Sequence, residues 1–300
     1  MARTLLSFGH GYTAQALTRR LRPEGWRVIG TTRSATKAKA LRKTGIEVLS
    51  WPRPESRTRL AAAFRDATHL LVSIPPGPDG DPVLAGESDQ LVACNARSRL
   101  IWVGYLSTTG VYGDHEGGWV DEDTPLNPAT DRGRRRADAE AAWLGSGLPV
   151  HVFRLAGIYG PGRGPFRKVM DGTARRVIKP GQVFSRIHVE DIATVLAASM
   201  DRPAPGTVYN VCDDDPAPPE DVIAHAARLL GVAVPEAVPF AEAELSPMAR
   251  SFYAESKRVR NARIKTDLGV QLNYPDYRTG LAALLQTGPE RSEVKPAPGD

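Results

Sequence analysis

SFGHGYTAQAL, residues Ser7–Leu17, decides how the rest of the chain is read. It joins a short apolar run, RTLLSF (3–8), to a stretch with helical spacing, YTAQALTRRLRPEG (12–25), which Gly25 closes. Between them Gly9, His10, Gly11, Tyr12, Thr13 and Ala14 form a Gly-x-Gly-x-x-Ala turn. Each small residue has a mechanical role. Gly9 permits a tight turn, Gly11 lets backbone approach a pyrophosphate, and Ala14 lets helix and strand pack closely. The N–H groups that open the helix then face the anion. The same spacing also serves an ordinary strand-to-helix turn, so the surroundings must decide.

Those surroundings alternate. WRVIGTT (26–32), IEVLS (46–50), THLLVSI (68–74), RLIWVGYLS (99–107), PVHVFRL (149–155) and TVYNVC (207–212) read as buried strands. Helical patterns at 35–45, 57–67, 83–97, from near Arg132 and at 189–200 fall between them. This order predicts an α/β, Rossmann-type fold with a doubly wound parallel sheet. Gly and Pro clusters at 157–165 and 203–219 weaken the regularity, and the helical patterns at 219–231 and 277–285 suit a smaller, interleaved C-terminal substrate domain. The expected division gives residues 1–158 and 187–213 to a dinucleotide-binding domain and 159–186 and 214–285 to the substrate domain. The polar, Pro-rich 286–300 is expected to be a flexible tail.

The end of the second strand separates the cofactors. NAD sites place an acidic residue there for the ribose hydroxyls. Here stand Gly30, Thr31, Thr32, Arg33 and Ser34, with Lys37 a turn later. Arg33 suits a 2′-phosphate by charge and by stacking on adenine, so NADP is expected over NAD. The competing reading is a solvated loop arginine.

Three hundred residues bury one large core or two modest ones, and 41% hydrophobic with 24% charged residues is a globular composition. No apolar run approaches the ~20 residues of a membrane helix, and no signal peptide opens the chain. A cytoplasmic protein without membrane association is expected. Cys94 and Cys212, the only cysteines, are far apart, which argues against a disulfide framework or a metal site. The net charge of +5 raises nucleic acid as a partner, but the arginines are scattered, so that reading trails. The expected partner is a small molecule, bound by a monomer or homodimer.

YLSTTGVYGD (105–114), VDEDTPLNP (120–128), RLAGIYGPGRG (154–164), RIHVEDIA (186–193) and VYNVCDDDPAP (208–218) follow in that order. With the glycine turn, they resemble the extended short-chain dehydrogenase/reductase family of sugar-nucleotide epimerases and dehydratases, over roughly residues 3–285. LLVSIPPGPDGDP (70–82) and YLSTTGVYGD are most similar to its atypical, epimerase-like branch, the YeeZ-like group. The resemblance implies that Thr108 is the catalytic hydroxyl beside the nicotinamide; a threonine merely packed in a strand competes with this. It also implies that Ser73, Ile74 and Pro75 touch the cofactor, although the Pro-Pro pair departs from the usual small residues. Ile158 falls where the family touches the nicotinamide.

One stretch departs from the family. A tyrosine acid/base and a lysine four residues on are expected, and counting from Thr108 and Tyr112 places them at Arg132 and Arg136. No tyrosine lies between Tyr112 and Tyr159, and no lysine between Lys43 and Lys168. A guanidinium with pKa above ~12 shuttles protons poorly. Arg136 could still hold ribose or phosphate oxygens, while a solvated helix start is the plain reading of RGRRR (132–136). Tyr112 and Tyr159 are the nearest replacement hydroxyls. His188 is expected to be structural, and Asp213, Asp214 and Asp215 a solvated turn. Arg163, Arg167, Arg175, Arg176, Lys179 and Arg186 lie on the family's substrate side, with Arg163 and Arg186 foremost, and imply an anionic substrate. The expected function is an NADP-dependent oxidoreductase or epimerase-like enzyme; the alternative is a non-catalytic NADP-binding sensor or scaffold.

Overall fold

The computed structural model describes residues 3–96 and 99–287, so the expected tail at 286–300 lies, from 288 onward, outside the described residues. The apolar runs become seven parallel strands, among them β1 (Thr4–Phe8), β2 (Arg27–Thr32), β3 (Glu47–Ser50), β4 (His69–Val72) and β5 (Trp102–Thr108). The sheet order is Val208–Val211, Val150–Leu155, β5, β4, β1, β2, β3. Ser7 of β1 stands opposite Gly30 of β2 on one side and Leu71 of β4 on the other. Winding reverses between β1 and β4, which opens a crevice at the carboxyl ends of the strands, where ligands bind in such sheets.

Strand side chains alternate between two cores, which is why these runs carry apolar residues on both faces instead of at every second position. Leu5, Leu71, Trp102 and Phe153 join α1 (Tyr12–Leu21), α2 (Ala35–Lys43) and helix Val189–Asp201 on one face. Leu6, Phe8, Leu70 and Val103 join α3 (Arg57–Asp66), α4 (Pro82–Ala96) and α5 (Asp131–Leu144) on the other. Each fully buried Leu or Phe contributes about 1.5–3 kcal/mol. Helix α1 ends at Leu21, four residues before the expected Gly25. Pro23 has no N–H to continue the ladder, so the chain tightens into a 3-10 turn at Arg22–Glu24, and Gly25 takes a left-handed φ of 80°.

A third apolar cluster gathers Tyr159, Phe166, Val169, Ala226, Tyr277 and Leu281. Val259, Ile264, Leu268 and Val270 pack instead into the first face of the main core. Strand Gly157–Tyr159 pairs in parallel with Arg186–His188, with Ile158 opposite Ile187. Among the described residues no helix is long and apolar enough to cross a membrane.

Candidate dinucleotide and substrate site

The turn after β1 is held by backbone geometry. Gly9 has φ 75°, and a Cβ there would lie 2.7 Å from Ile74 Cγ1. Its N–H donates to Thr31 Oγ1 at 3.0 Å, and the N–H of His10 donates to Thr31 O at 2.9 Å, tying the turn to the end of β2. Gly30 is needed in turn by His10, because a Cβ at 30 would lie 2.7 Å from that ring. Gly11 is the N-cap of α1, and a Cβ there would meet nothing nearer than Gly9 O at 3.4 Å. That space above the first N–H groups is a cradle that a side chain would fill, and it fits the diphosphate of a dinucleotide. Ala14 is fully buried between helix and sheet. Burial, helped by Lys37, holds the His10 imidazole down at about 4, so the ring is neutral.

At the end of β2, Arg33 and Ser34 are exposed. Ser34 Oγ caps α2 by accepting from Lys37 N at 3.2 Å. No carboxylate stands between Gly30 and Lys37. Ser73 extends the β4–β1 ladder, its N–H donating to Phe8 O at 2.9 Å, and Ile74 lies beneath Gly9; Pro75 is exposed. Thr108 ends β5, half-buried. Its Oγ1 accepts from Gly110 N at 3.1 Å, capping the turn Thr109–Tyr112 and leaving its O–H to donate.

The start of α5 divides. Thr130 caps it, Arg132 is exposed, and Arg134 pairs with Asp131 at 2.5 Å, as a solvated helix start requires. Arg136 does not follow that reading. It is buried against β5, with Nη1 donating to Leu106 O and, at 3.3 Å, to the Tyr105 hydroxyl. Those bonds hold its guanidinium against the strand. One helical turn on, Glu140 meets Arg154 at 2.8 Å, with side chains 3% and 6% exposed. Ser107 donates to Glu140, and Arg154 Nη1 donates at 2.9 Å to the Tyr112 hydroxyl, which itself donates to Asn210 Oδ1 at 2.7 Å.

This network removes Tyr112 as a candidate acid. The side chain is fully buried, its hydroxyl is engaged, and burial pushes its pKa up to about 12 in spite of Arg154. Tyr159 is also buried; burial followed by Asp213 drives its pKa up strongly. Both tyrosines are therefore poor proton donors at neutral pH. Reading the sequence missed the Glu140–Arg154 pair. The signal was available: Arg154 stands in the mostly apolar run VHVFRL, and a charge buried there needs a partner.

Beyond the cofactor turn, His188 caps helix Val189–Asp201 by accepting from Glu190 N at 3.2 Å and packs against Tyr274 at 3.9 Å between ring centroids. Burial holds it at about 4, a structural histidine. Ile158 is partly buried against the main core. Arg163 and Arg186 have different partners. Arg186 Nη1 donates to Phe184 O at 2.8 Å and Ala217 O at 2.9 Å. Arg163 lies over the Tyr12 ring, its Cζ 5.8 Å from the centroid. The expected solvated turn fails at Asp213 while Asp214 stays exposed: Asp213 is buried, and burial pushes it up to about 8, opposed by Arg186. Asp214 pairs with Lys265 and Asp215 with Arg278, each at 2.5 Å. Among the described residues no group of three or more His, Cys, Asp or Glu could hold a metal.

No protein-family model matches the sequence. The chain is 32% identical over 279 residues to protein YeeZ of Escherichia coli strain K12, covering 89% of this chain and 95% of that protein. A functionally unknown conserved protein from Silicibacter pomeroyi DSS is 58% identical, with TM-score 0.88, over 98% of this chain and 100% of that one. The human epimerase family protein SDR39U1, solved with NADPH, shares the fold with TM-score 0.71 and 19% identity, over 95% of this chain and 99% of that one.

Proposed function

Because the chain belongs to the family of protein YeeZ, an atypical epimerase/dehydratase-like branch of the extended short-chain dehydrogenases/reductases, we propose that it is an NADP(H)-dependent oxidoreductase acting on a small anionic substrate. One observation carries the cofactor reading. The intact dinucleotide turn adjoins an exposed Arg33, the capping Ser34 and Lys37, with no carboxylate to receive ribose hydroxyls. A guanidinium there binds a 2′-phosphate bidentately and repays its desolvation better than a ribose hydroxyl would. At the level of fold, neighbours solved with NADPH and with NAD both support a nicotinamide dinucleotide.

When bound, the nicotinamide would supply hydride chemistry. Ile74 supports the turn from below, and Ile158 stands at the lobe junction. Thr108 orients the substrate oxygen by donating its O–H. Neither Tyr112 nor Tyr159 delivers a proton, since both are buried with raised pKa values. The proton that completes reduction comes from solvent. Epimerisation fits less well, because it needs a base near neutral pKa to remove a proton and return it.

Co-crystallisation with NADPH tests the assignment: Thr108 Oγ1 is the expected protein hydroxyl within hydrogen-bond reach of the atoms around nicotinamide C4. Another side chain in that position overturns the role given to Thr108. The same burial of both tyrosines favours a second reading, a non-catalytic NADP(H) sensor. Screening NADPH oxidation against carbonyl compounds and nucleotide sugars separates the two.

A further inference from the structure

The loop that leaves strand Gly157–Tyr159 is fastened to the cofactor turn of the main lobe. Gly160 and Arg163 exchange two backbone hydrogen bonds, 3.0 and 2.8 Å, which close a tight turn and fix where Arg163 emerges. Gly160 sits at φ 150°, and a Cβ there would lie 2.6 Å from the Tyr12 hydroxyl and 2.7 Å from Val189 Cγ1. The Tyr12 hydroxyl donates to Pro161 O at 3.0 Å. Tyr12 is the first residue of α1, directly after the N-cap Gly11. Arg163 thereby lies over the ring of the residue that opens α1, its Cζ 5.8 Å from the Tyr12 centroid.

Charge completes the case. Arg19, on the same helix, is neutralised by Glu190 at 2.6 Å, and Arg186 is engaged with Phe184 O and Ala217 O. Among the described residues no carboxylate pairs with Arg163. An exposed guanidinium over an aromatic ring, with no carboxylate to neutralise it, suits phosphate oxygens. We propose that Arg163 is a cofactor-binding residue that closes on the dinucleotide diphosphate from the smaller lobe, and not a substrate residue. The inference rests on the reading of Gly9–Ala14 as a dinucleotide turn. It adds a side-chain cation to a site otherwise built from backbone, and it makes closure of the 160–163 loop part of holding the cofactor.

The test is a fluorescence titration of the full chain with NADPH and, separately, with adenosine 2′-monophosphate, which lacks the diphosphate. Wild type, Arg163→Ala and Arg163→Lys are compared, with thermal melts to verify folding. The expected result is an NADPH Kd raised on the order of 10- to 100-fold by Arg163→Ala and less by Arg163→Lys, with the Kd for adenosine 2′-monophosphate unchanged. An unchanged NADPH Kd, or equal weakening of both nucleotides, overturns the proposal while leaving the dinucleotide reading intact. A wild-type chain that binds neither nucleotide overturns that reading, and the proposal with it.

Discussion

The turn at Gly9–Ala14 and the helix start at Arg132–Glu140 lie at the same edge of the same sheet but are built differently. The first is made of backbone: a positive φ at Gly9, an open cradle at Gly11 and a buried Ala14. The second is made of side chains: Arg136 on the Leu106 carbonyl, and Glu140 on Arg154, which reaches Tyr112. A site made of backbone accepts few substitutions, because an added Cβ collides at Gly9 and, beneath the turn, at Gly30, while at Gly11 it would fill the cradle. A site made of side chains can be rewired while the helix carrying it stays in place, and here it holds buried charges together.

The largest expected effect strikes the rewired region. Glu140→Ala leaves Arg154 buried without its counter-charge and should cost about 3–5 kcal/mol, read as a lowered urea midpoint. A loss below about 1 kcal/mol would mean that the network is not what fixes α5 to β5.

Acid strikes the turn instead. His10 has a folded pKa of about 4 against an ordinary 6.5, so between those values the unfolded chain binds more protons than the folded one. Its stabilisation is present above pH 6.5 and is lost as pH falls through that window, up to about 3 kcal/mol. His69, His151 and His188 are lowered in the same way by burial and steepen the loss. Thermal melts from pH 7 to 4.5 should fall steadily, and His10→Gln should flatten part of that slope. Parallel slopes in the two proteins contradict a buried neutral His10.

Thr108→Val keeps the β-branched shape and removes the hydroxyl. Once a substrate is found, turnover should drop by roughly 10²-fold with NADPH affinity unchanged. Unchanged turnover reduces Thr108 to a capping residue. The smallest effect is expected from Arg132→Tyr with Arg136→Lys, which should not yield a fast enzyme. Lysine at 136 cannot reproduce the bonds to Leu106 and Tyr105, and catalytic groups need placement within ~0.5 Å. Strong new turnover on nucleotide sugars would break the contrast between the two regions.

How much was legible follows the same division. All seven strands of the sheet could be read from apolar runs, since a doubly covered parallel sheet leaves no polar face to confuse the pattern. The Gly-x-Gly-x-x-Ala turn was legible because steric demands write themselves as glycine spacing. The fate of Arg136, the inward turn of Asp213 and the engagement of Tyr112 were not legible. Each depends on a partner far along the chain, as Tyr112 depends on Arg154 and Asn210. Local pattern holds no record of such pairs. The contact of Arg163 with Tyr12 was not legible for the same reason, because it joins two distant segments.

Calorimetric titration of NADPH and NADH into wild type and Arg33→Ala tests the central claim most directly. The account predicts tighter NADPH binding to wild type, with Arg33→Ala losing about 1.5–3 kcal/mol toward NADPH and little toward NADH. Equal affinities in wild type, or tighter NADH binding that Arg33→Ala leaves untouched, would contradict it.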